Sequence, residues 1–190
     1  MASSSAPRAL VLTGFGINAE DELAHALQLG GAKTEFVHFN KLLADGGRSL
    51  EDYQLLALPG GFSFGDDIQS GRVLANKFKY KLSEPLKKFI GTGKPVLGIC
   101  NGFQVLVQLG ALPGWSASTG APGAGPSSAE TPGTSGQNSA SVWERRMTLM
   151  RNARGRFENR WVRLRAEDSA CQFAGGLGVM SMPVRHGEGR

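Results

Sequence analysis

A short apolar run, Pro95-Val96-Leu97-Gly98-Ile99, ends in Cys100-Asn101-Gly102, and a stretch of helical character, Phe103-Gln104-Val105-Leu106-Val107-Gln108-Leu109, follows at once. A strand that turns so abruptly into a helix constrains this chain more than any other feature. It demands a β-turn-α unit, with a reactive side chain at the apex between two glycines. That is the nucleophile-elbow arrangement, with cysteine in place of serine. Gly98 and Gly102 remove Cβ atoms that would collide in a sharp turn. A helix starting here aims its N-terminal N–H groups at the sulfur, and such a setting favours thiolate over thiol in general. The competing reading is an inert cysteine buried at the end of a core strand. Both glycines, with a strand before and a helix after, favour the nucleophile.

The same alternation of short apolar runs and amphipathic segments extends upstream. Ala9–Thr13 reads as a buried strand, and Glu20–Leu29 as a helix with Leu23, Ala26 and Leu27 at helical spacing, closed by Gly30-Gly31. Thr34–Phe39 alternates as a second strand, and Gln54–Leu58 is a third that runs straight into Pro59-Gly60-Gly61. Val73–Ile90 has helical character with a break expected near Pro85, and Val96–Ile99 is the fourth strand. Near-continuous apolar strands alternating with helices predict an α/β fold: three layers, a mostly parallel sheet with helices on both faces. Sites in such sheets form beyond the carboxyl ends of the strands. Gly60-Gly61 and Cys100 both fall there, after different strands.

The pattern then stops. Residues 114–142 are mostly Gly, Ala, Ser, Pro and Thr with the single charge of Glu130, a composition too poor in apolar groups to fold. We expect a disordered insertion within one domain spanning 1–190. Alternation resumes at Arg146–Met150 and at Arg160–Leu164, both expected to be strands with one solvated face.

Other functions are disfavoured by what the chain lacks. No apolar run reaches membrane-spanning length, and Ala9–Leu12 is too short for a signal-peptide core, so a cytoplasmic location and no membrane partner are expected. Two cysteines, Cys100 and Cys171, do not make a disulfide framework, and the three scattered histidines, His25, His38 and His186, do not make a metal site. The net charge of +5 is concentrated in Arg145, Arg146, Arg151, Arg154, Arg156, Arg160, Arg163 and Arg165. Without interleaved aromatic residues this reads as a solvated or protein-docking face, not a nucleic-acid platform. Gly14-Phe15-Gly16-Ile17-Asn18-Ala19 fits a G-x-G-x-x-A dinucleotide fingerprint, but neither Glu35 nor Asp45 lies cleanly where the ribose partner belongs. A tight turn feeding a helix is the preferred reading.

Three segments together carry a family resemblance: Pro59-Gly60-Gly61-Phe62-Ser63-Phe64-Gly65-Asp66-Asp67, Gly98-Ile99-Cys100-Asn101-Gly102-Phe103-Gln104 and Arg156-Phe157-Glu158-Asn159-Arg160-Trp161-Val162. They resemble the class I glutamine amidotransferases, and more narrowly the glutaminase subunits of phosphoribosylformylglycinamidine synthases. Thr13–Asn18 and His186-Gly187-Glu188-Gly189 fit as well, although Ala19 stands where a cysteine is common. The resemblance implies a flavodoxin-like domain that hydrolyses glutamine to glutamate and ammonia for purine biosynthesis. It implies Cys100 as nucleophile, the backbone N–H groups of Gly61 and Asn101 as oxyanion hole, and Gly60 and Gln104 as glutamine-binding residues. Ammonia would pass to a synthetase subunit that carries ATP and magnesium. No G-x-x-x-x-G-K-[ST] loop occurs here, so no cofactor is expected in this chain.

The family completes its triad with a downstream H-P-E motif, which these 190 residues do not contain. The expected fold is accordingly C-terminally incomplete. His186-Gly187-Glu188 has the right spacing for a base and its orienter, but its surroundings match a different family segment, so the assignment is not made. If these residues act alone, slow hydrolysis is expected, with Cys100 still open to alkylation. The alternative is a non-catalytic pseudo-glutaminase that docks on a synthetase and regulates it. A third reading, a peptidase-like hydrolase, is disfavoured by the Gly60-Gly61-Phe62 loop and Gln104.

Overall fold

The first strand sets the plan. In β1 (Arg8–Thr13) four successive residues, Ala9 to Leu12, are fully buried, and only a strand covered on both faces buries neighbours that point in opposite directions. The computed structural model describes residues 5–44, 49–114, 143, 145–166 and 171–190. Within them β1 is flanked by β2 (Lys33–His38) and β3 (Leu55–Leu58), and β3 by β4 (Val96–Gly98), all parallel, in the order β2-β1-β3-β4.

The strands' alternation sorts the core into two layers. Leu10, Leu12, Leu56 and Leu58 pack with Leu74 and Phe78 of α3 (Arg72–Lys81), Leu86 and Phe89 of α4 (Ser83–Gly91), and Val105 and Leu106 of α5 (Asn101–Leu109). Val11 and Ala57 face the other way, onto Leu23 and Ala24 of α1 (Glu20–Leu29). The three-layer α/β architecture expected from the sequence is therefore observed. Glu20, Asp21 and Glu22 occupy the first turn of α1, where the helix dipole favours negative charge.

Several boundaries differ from the sequence reading. The helical stretch 73–90 breaks at Leu82, not at Pro85. Pro85 is the third residue of α4, where its missing N–H would have had no intrahelical partner. A short helix, α2 (Phe39–Leu43), follows β2 directly, started by the N–H of Asn40 donating to His38 Nδ1 at 3.1 Å. Residues 146–150 form no strand: they run extended beside the end of the chain, where Met150 and Arg190 exchange two backbone hydrogen bonds. The alternation there is real, but pairing with the 187–190 tail amounts to an isolated antiparallel bridge, Arg151 with Glu188, and not a ladder. Arg160–Leu164 does lie in a strand, β5 (Glu158–Arg165), paired antiparallel with an unanticipated β6 (Val179–His186) in a separate two-stranded ribbon. The insertion expected at 114–142 lies, apart from Gly114, outside the described residues. Among the described residues no helix is long and apolar enough to cross a membrane.

Candidate active site

Cys100 occupies the turn between β4 and α5 with φ 53° and ψ −114°. A non-glycine residue in this region is strained by roughly 1–3 kcal/mol and persists only where its surroundings enforce it. Two glycines enforce it here. A Cβ on Gly102 would overlap the Leu58 carbonyl, and one on Gly98 would lie 2.7 Å from the Gly102 carbonyl and from Leu106 Cδ1. Their absence lets α5 start hard against β3 and β4. The Ile99 N–H donates to Leu58 O at 3.1 Å and locks the turn to the neighbouring strand. The thiol is left free and exposed at the apex.

The Pro59-Gly60-Gly61 loop after β3 meets the elbow from the side. A Cβ at Gly60 would stand 3.3 Å from Cys100 Cβ, so bare backbone lies next to the nucleophile. Gly61 has φ 140° and is clamped from the far side, since a Cβ there would meet Gly16 O at 2.7 Å and Asn18 N at 2.8 Å. The clamp is the loop after β1. The N–H groups of Asn18 and Ala19 donate to Gly60 O at 3.3 Å each, Phe62 N–H donates to Gly16 O at 2.9 Å, and Phe64 N–H donates to Phe15 O at 2.6 Å. Phe15 and Phe64 stack with centroids 4.5 Å apart, with Lys77 Nζ 5.1 and 5.5 Å from their centroids.

This contact settles the role of Gly14-Phe15-Gly16. The close approach that Gly16 permits is to the Phe62 carbonyl, 2.5 Å from where its Cβ would be. Glu35 bonds Arg8 at 3.1 Å, at the start of β1 and away from the Gly14 turn. The segment is more than a tight turn feeding a helix: it is the clasp that holds the diglycine.

Asn101, the first residue of α5, is buried and its carboxamide is fully used. Its Oδ1 accepts from Ser63 N–H at 3.2 Å, and its Nδ2 donates to Asp66 Oδ1 and Gln104 Oε1, both at 3.2 Å. Asp66, itself at φ 55°, also accepts from Ser70 Oγ at 3.1 Å. The side chain thus ties the elbow to the loop that follows Gly61. The Asn101 backbone N–H belongs to the helix's first turn, whose N–H groups have no intrahelical acceptor. Gln104, half-buried one turn further on, donates to Glu188 O at 3.3 Å and so brings the 187–190 tail alongside α5. Glu188 Oε2 is covered and has no partner among the described residues.

Of the predicted residues, Cys100, Gly60, Asn101 and Gln104 converge on one place, and Gly61 adjoins them. Ser63, Asp66 and Asn152 are structural partners that sequence reasoning missed, because nothing in their local pattern says what they bond. The histidines do not join the cysteine. His38 ends β2, three inter-strand spacings from β4, or roughly 14 Å at about 4.8 Å each. His25 is exposed on α1, on the opposite face of the sheet from α5. His186 Nδ1 is 2.8 Å from Asn152 Oδ1, while Asn152 Nδ2 donates to the carbonyls of His186 and Arg156, both at 2.8 Å. His186 thus closes the base of the ribbon.

A parallel sheet in the order β2-β1-β3-β4, with a strained cysteine elbow after its last strand, defines an α/β domain of the amidotransferase type. The comparisons with known proteins agree. Residues 6–190 match the model of the CobB/CobQ-like glutamine amidotransferase domain, and the chain belongs to that family. Phosphoribosylformylglycinamidine synthase subunit PurQ of Methanococcus maripaludis is 43% identical over 186 residues, covering 97% of this chain and 60% of the relative. Its counterpart in Dehalococcoides mccartyi is 40% identical, covering 96% of this chain and 62% of the relative. The chain therefore spans about three-fifths of the length of these curated relatives. Among solved structures, PurLQS from Thermotoga maritima superposes with a TM-score of 0.68 at 30% identity, over 97% of this chain and 68% of that one. A glutamine amidotransferase from Thermotoga maritima, at 14% identity and a TM-score of 0.51, shares the fold over 98% of this chain and 62% of that one. The resemblance read from the three sequence segments is borne out.

Proposed function

We propose that this chain is the glutaminase component of a phosphoribosylformylglycinamidine synthase, acting in purine biosynthesis. The Cys100 sulfur attacks the side-chain amide carbon of glutamine. The tetrahedral oxyanion collapses as the C–N bond breaks, and the departing nitrogen takes up a proton and leaves as ammonia. Water then cleaves the glutamyl thioester, returning the sulfur and releasing glutamate. The backbone N–H groups of Gly61 and Asn101 stabilise the oxyanion, an interaction typically worth about 3 kcal/mol per donor. Gly60 and Gln104 hold the substrate. Ammonia passes to a synthetase partner that supplies ATP and magnesium. The chain itself uses no cofactor, and neither nucleic acid nor membrane is a partner.

The observation that carries this reading is the strained Cys100 backbone, held at φ 53° beside Gly60 with its thiol exposed. Strain of this kind at an accessible nucleophile is retained for chemistry, not for stability. A second reading rests on the histidines. Among the described residues no hydrogen bond joins an imidazole to Cys100, and His186 is engaged by Asn152. General-base help is worth about 10²–10⁴ in rate, so residues 1–190 by themselves hydrolyse glutamine slowly while Cys100 stays open to alkylation, or serve as a docking pseudo-glutaminase.

Labelling with a diazoketone analogue of glutamine tests both. A single adduct at Cys100, blocked by glutamine but not asparagine, supports the substrate assignment; loss of that selectivity removes it. Ammonia release with a synthetase subunit present separates a working glutaminase from a regulatory module.

A further inference from the structure

A second cleft lies on the same helical layer, in the groove between α3 and α5 and towards the end of α5 remote from Cys100. It encloses about 330 Å³ and is lined by Arg72, Asn76 and Lys79 of α3, Gln108 and Leu109 of α5, Trp143 and Arg145. Three of these side chains are cations and none is an acid. Arg and Lys only donate hydrogen bonds. The remaining polar contacts deepen the imbalance. Gln108 Oε1 is already used, accepting from Arg145 Nη1 at 2.9 Å, while Gln108 Nε2 is covered and has no acceptor among the described residues. Arg72 Nη1 reaches an acceptor only at 3.4 Å, on Gln69. The Trp143 wall is fixed, since its indole is buried and Nε1 donates to Ser83 Oγ at 2.9 Å.

A cleft lined by three cations and walled by a tryptophan suits an acceptor-rich anion. Helix dipoles account for part of this charge, because Lys79 lies in the last turn of α3 and Arg145 beside the last turn of α5, where cations are favoured. They do not account for Arg72, which begins α3 at its positive end. We propose that this cleft binds a small phosphate-bearing molecule, with Arg72, Lys79 and Arg145 on the phosphate and Gln108 Oε1 holding the Arg145 guanidinium in place. The volume of about 330 Å³ admits a sugar phosphate and falls at the small end of the range of small-ligand sites. The site is separate from the glutaminase reading and stands without it.

The test is calorimetry and thermal denaturation of the chain at constant ionic strength, with inorganic phosphate, ribose 5-phosphate, ribose and hexaglutamate as probes. The expected result is saturable binding of ribose 5-phosphate with a rise in Tm, a weaker response to phosphate and none to ribose. Arg72→Gln with Lys79→Met should weaken binding at least tenfold while Cys100 labelling is unchanged, and Gln108→Leu should weaken it several-fold. Absence of saturable phosphate or ribose 5-phosphate binding overturns the proposal. So does undiminished affinity in the double variant, or binding of hexaglutamate alone, which would mark a protein-docking surface.

Discussion

The four-stranded body and the two-stranded ribbon are built on opposite terms. In the body, Ala9 to Leu12 and Leu56 to Ala57 have no exposed surface, and glycines at 98 and 102 let backbone touch backbone. In the ribbon, Trp161 is 72% exposed opposite an exposed Pro183, with Arg163, Arg165 and Arg185 on the same face. A two-stranded ribbon with so little apolar cover is marginal by itself. It is joined to the body by polar contacts, among them Gln104 to Glu188 O and Gln69 to Leu149 O, and its base is closed by Asn152. The difference separates two tasks. The nucleophile is fixed by close packing, which tolerates almost no change, and the tail beside it is positioned by hydrogen bonds, which can be altered one at a time.

That division can be broken by mutation. Gly102→Ala should have the largest effect, because its Cβ would overlap a main-chain carbonyl that cannot move without β3. We expect a loss of about 4 kcal/mol or more in chemical denaturation; a loss below about 1 kcal/mol would show that the elbow is not close-packed. Asn101→Ala removes three hydrogen bonds at once, one buried and two part-buried, and should cost about 2–3 kcal/mol. It should also slow Cys100 labelling, since Ser63 and Asp66 lose their anchor. Asn152→Ala should cost about 1–2 kcal/mol, and hydrogen exchange should rise in residues 158–165 and 179–186 while β1 to β4 stay protected. Loss of protection in the body would mean that the two regions form one cooperative unit. Combining Asn101→Ala with Asn152→Ala sharpens the comparison further, because independent regions give additive losses within about 0.5 kcal/mol. Trp161→Ala, at an exposed site, should change stability by no more than about 0.5 kcal/mol.

How much could be read beforehand divides along the same line. The body's strands and helices were visible because each carries its own period and its own punctuation, such as Gly30-Gly31 after α1. One exception, the break at Leu82, arises because a proline early in a helix starts it instead of interrupting it; another is α2, too short to carry a helical period. The ribbon was half legible. Arg160–Leu164 alternates, but β6 contains Pro183 and little alternation, and its identity comes from pairing with β5. The stretch 146–150 shows the converse, an alternating pattern with no partner strand. In the site, Cys100 and the diglycine announced themselves, whereas Asp66 and Asn152 look like any loop residue until their partners are known.

Residue order alone determined the elbow and the layered sheet, because both follow from sterics and periodicity acting between near neighbours. Gly98, Cys100 and Gly102 leave the chain one way to turn from strand to helix. Only the tertiary structure decided that Gly14-Phe15-Gly16 clasps the diglycine, that Asn101 anchors the next loop, and that His186 closes the ribbon. Those outcomes depend on hydrogen bonds spanning 34 to 49 positions of chain, as between Asn152 and His186 or Phe15 and Phe64. No local pattern encodes such partners, because a carboxamide can bond to any donor or acceptor, side chain or backbone, that folding brings to it.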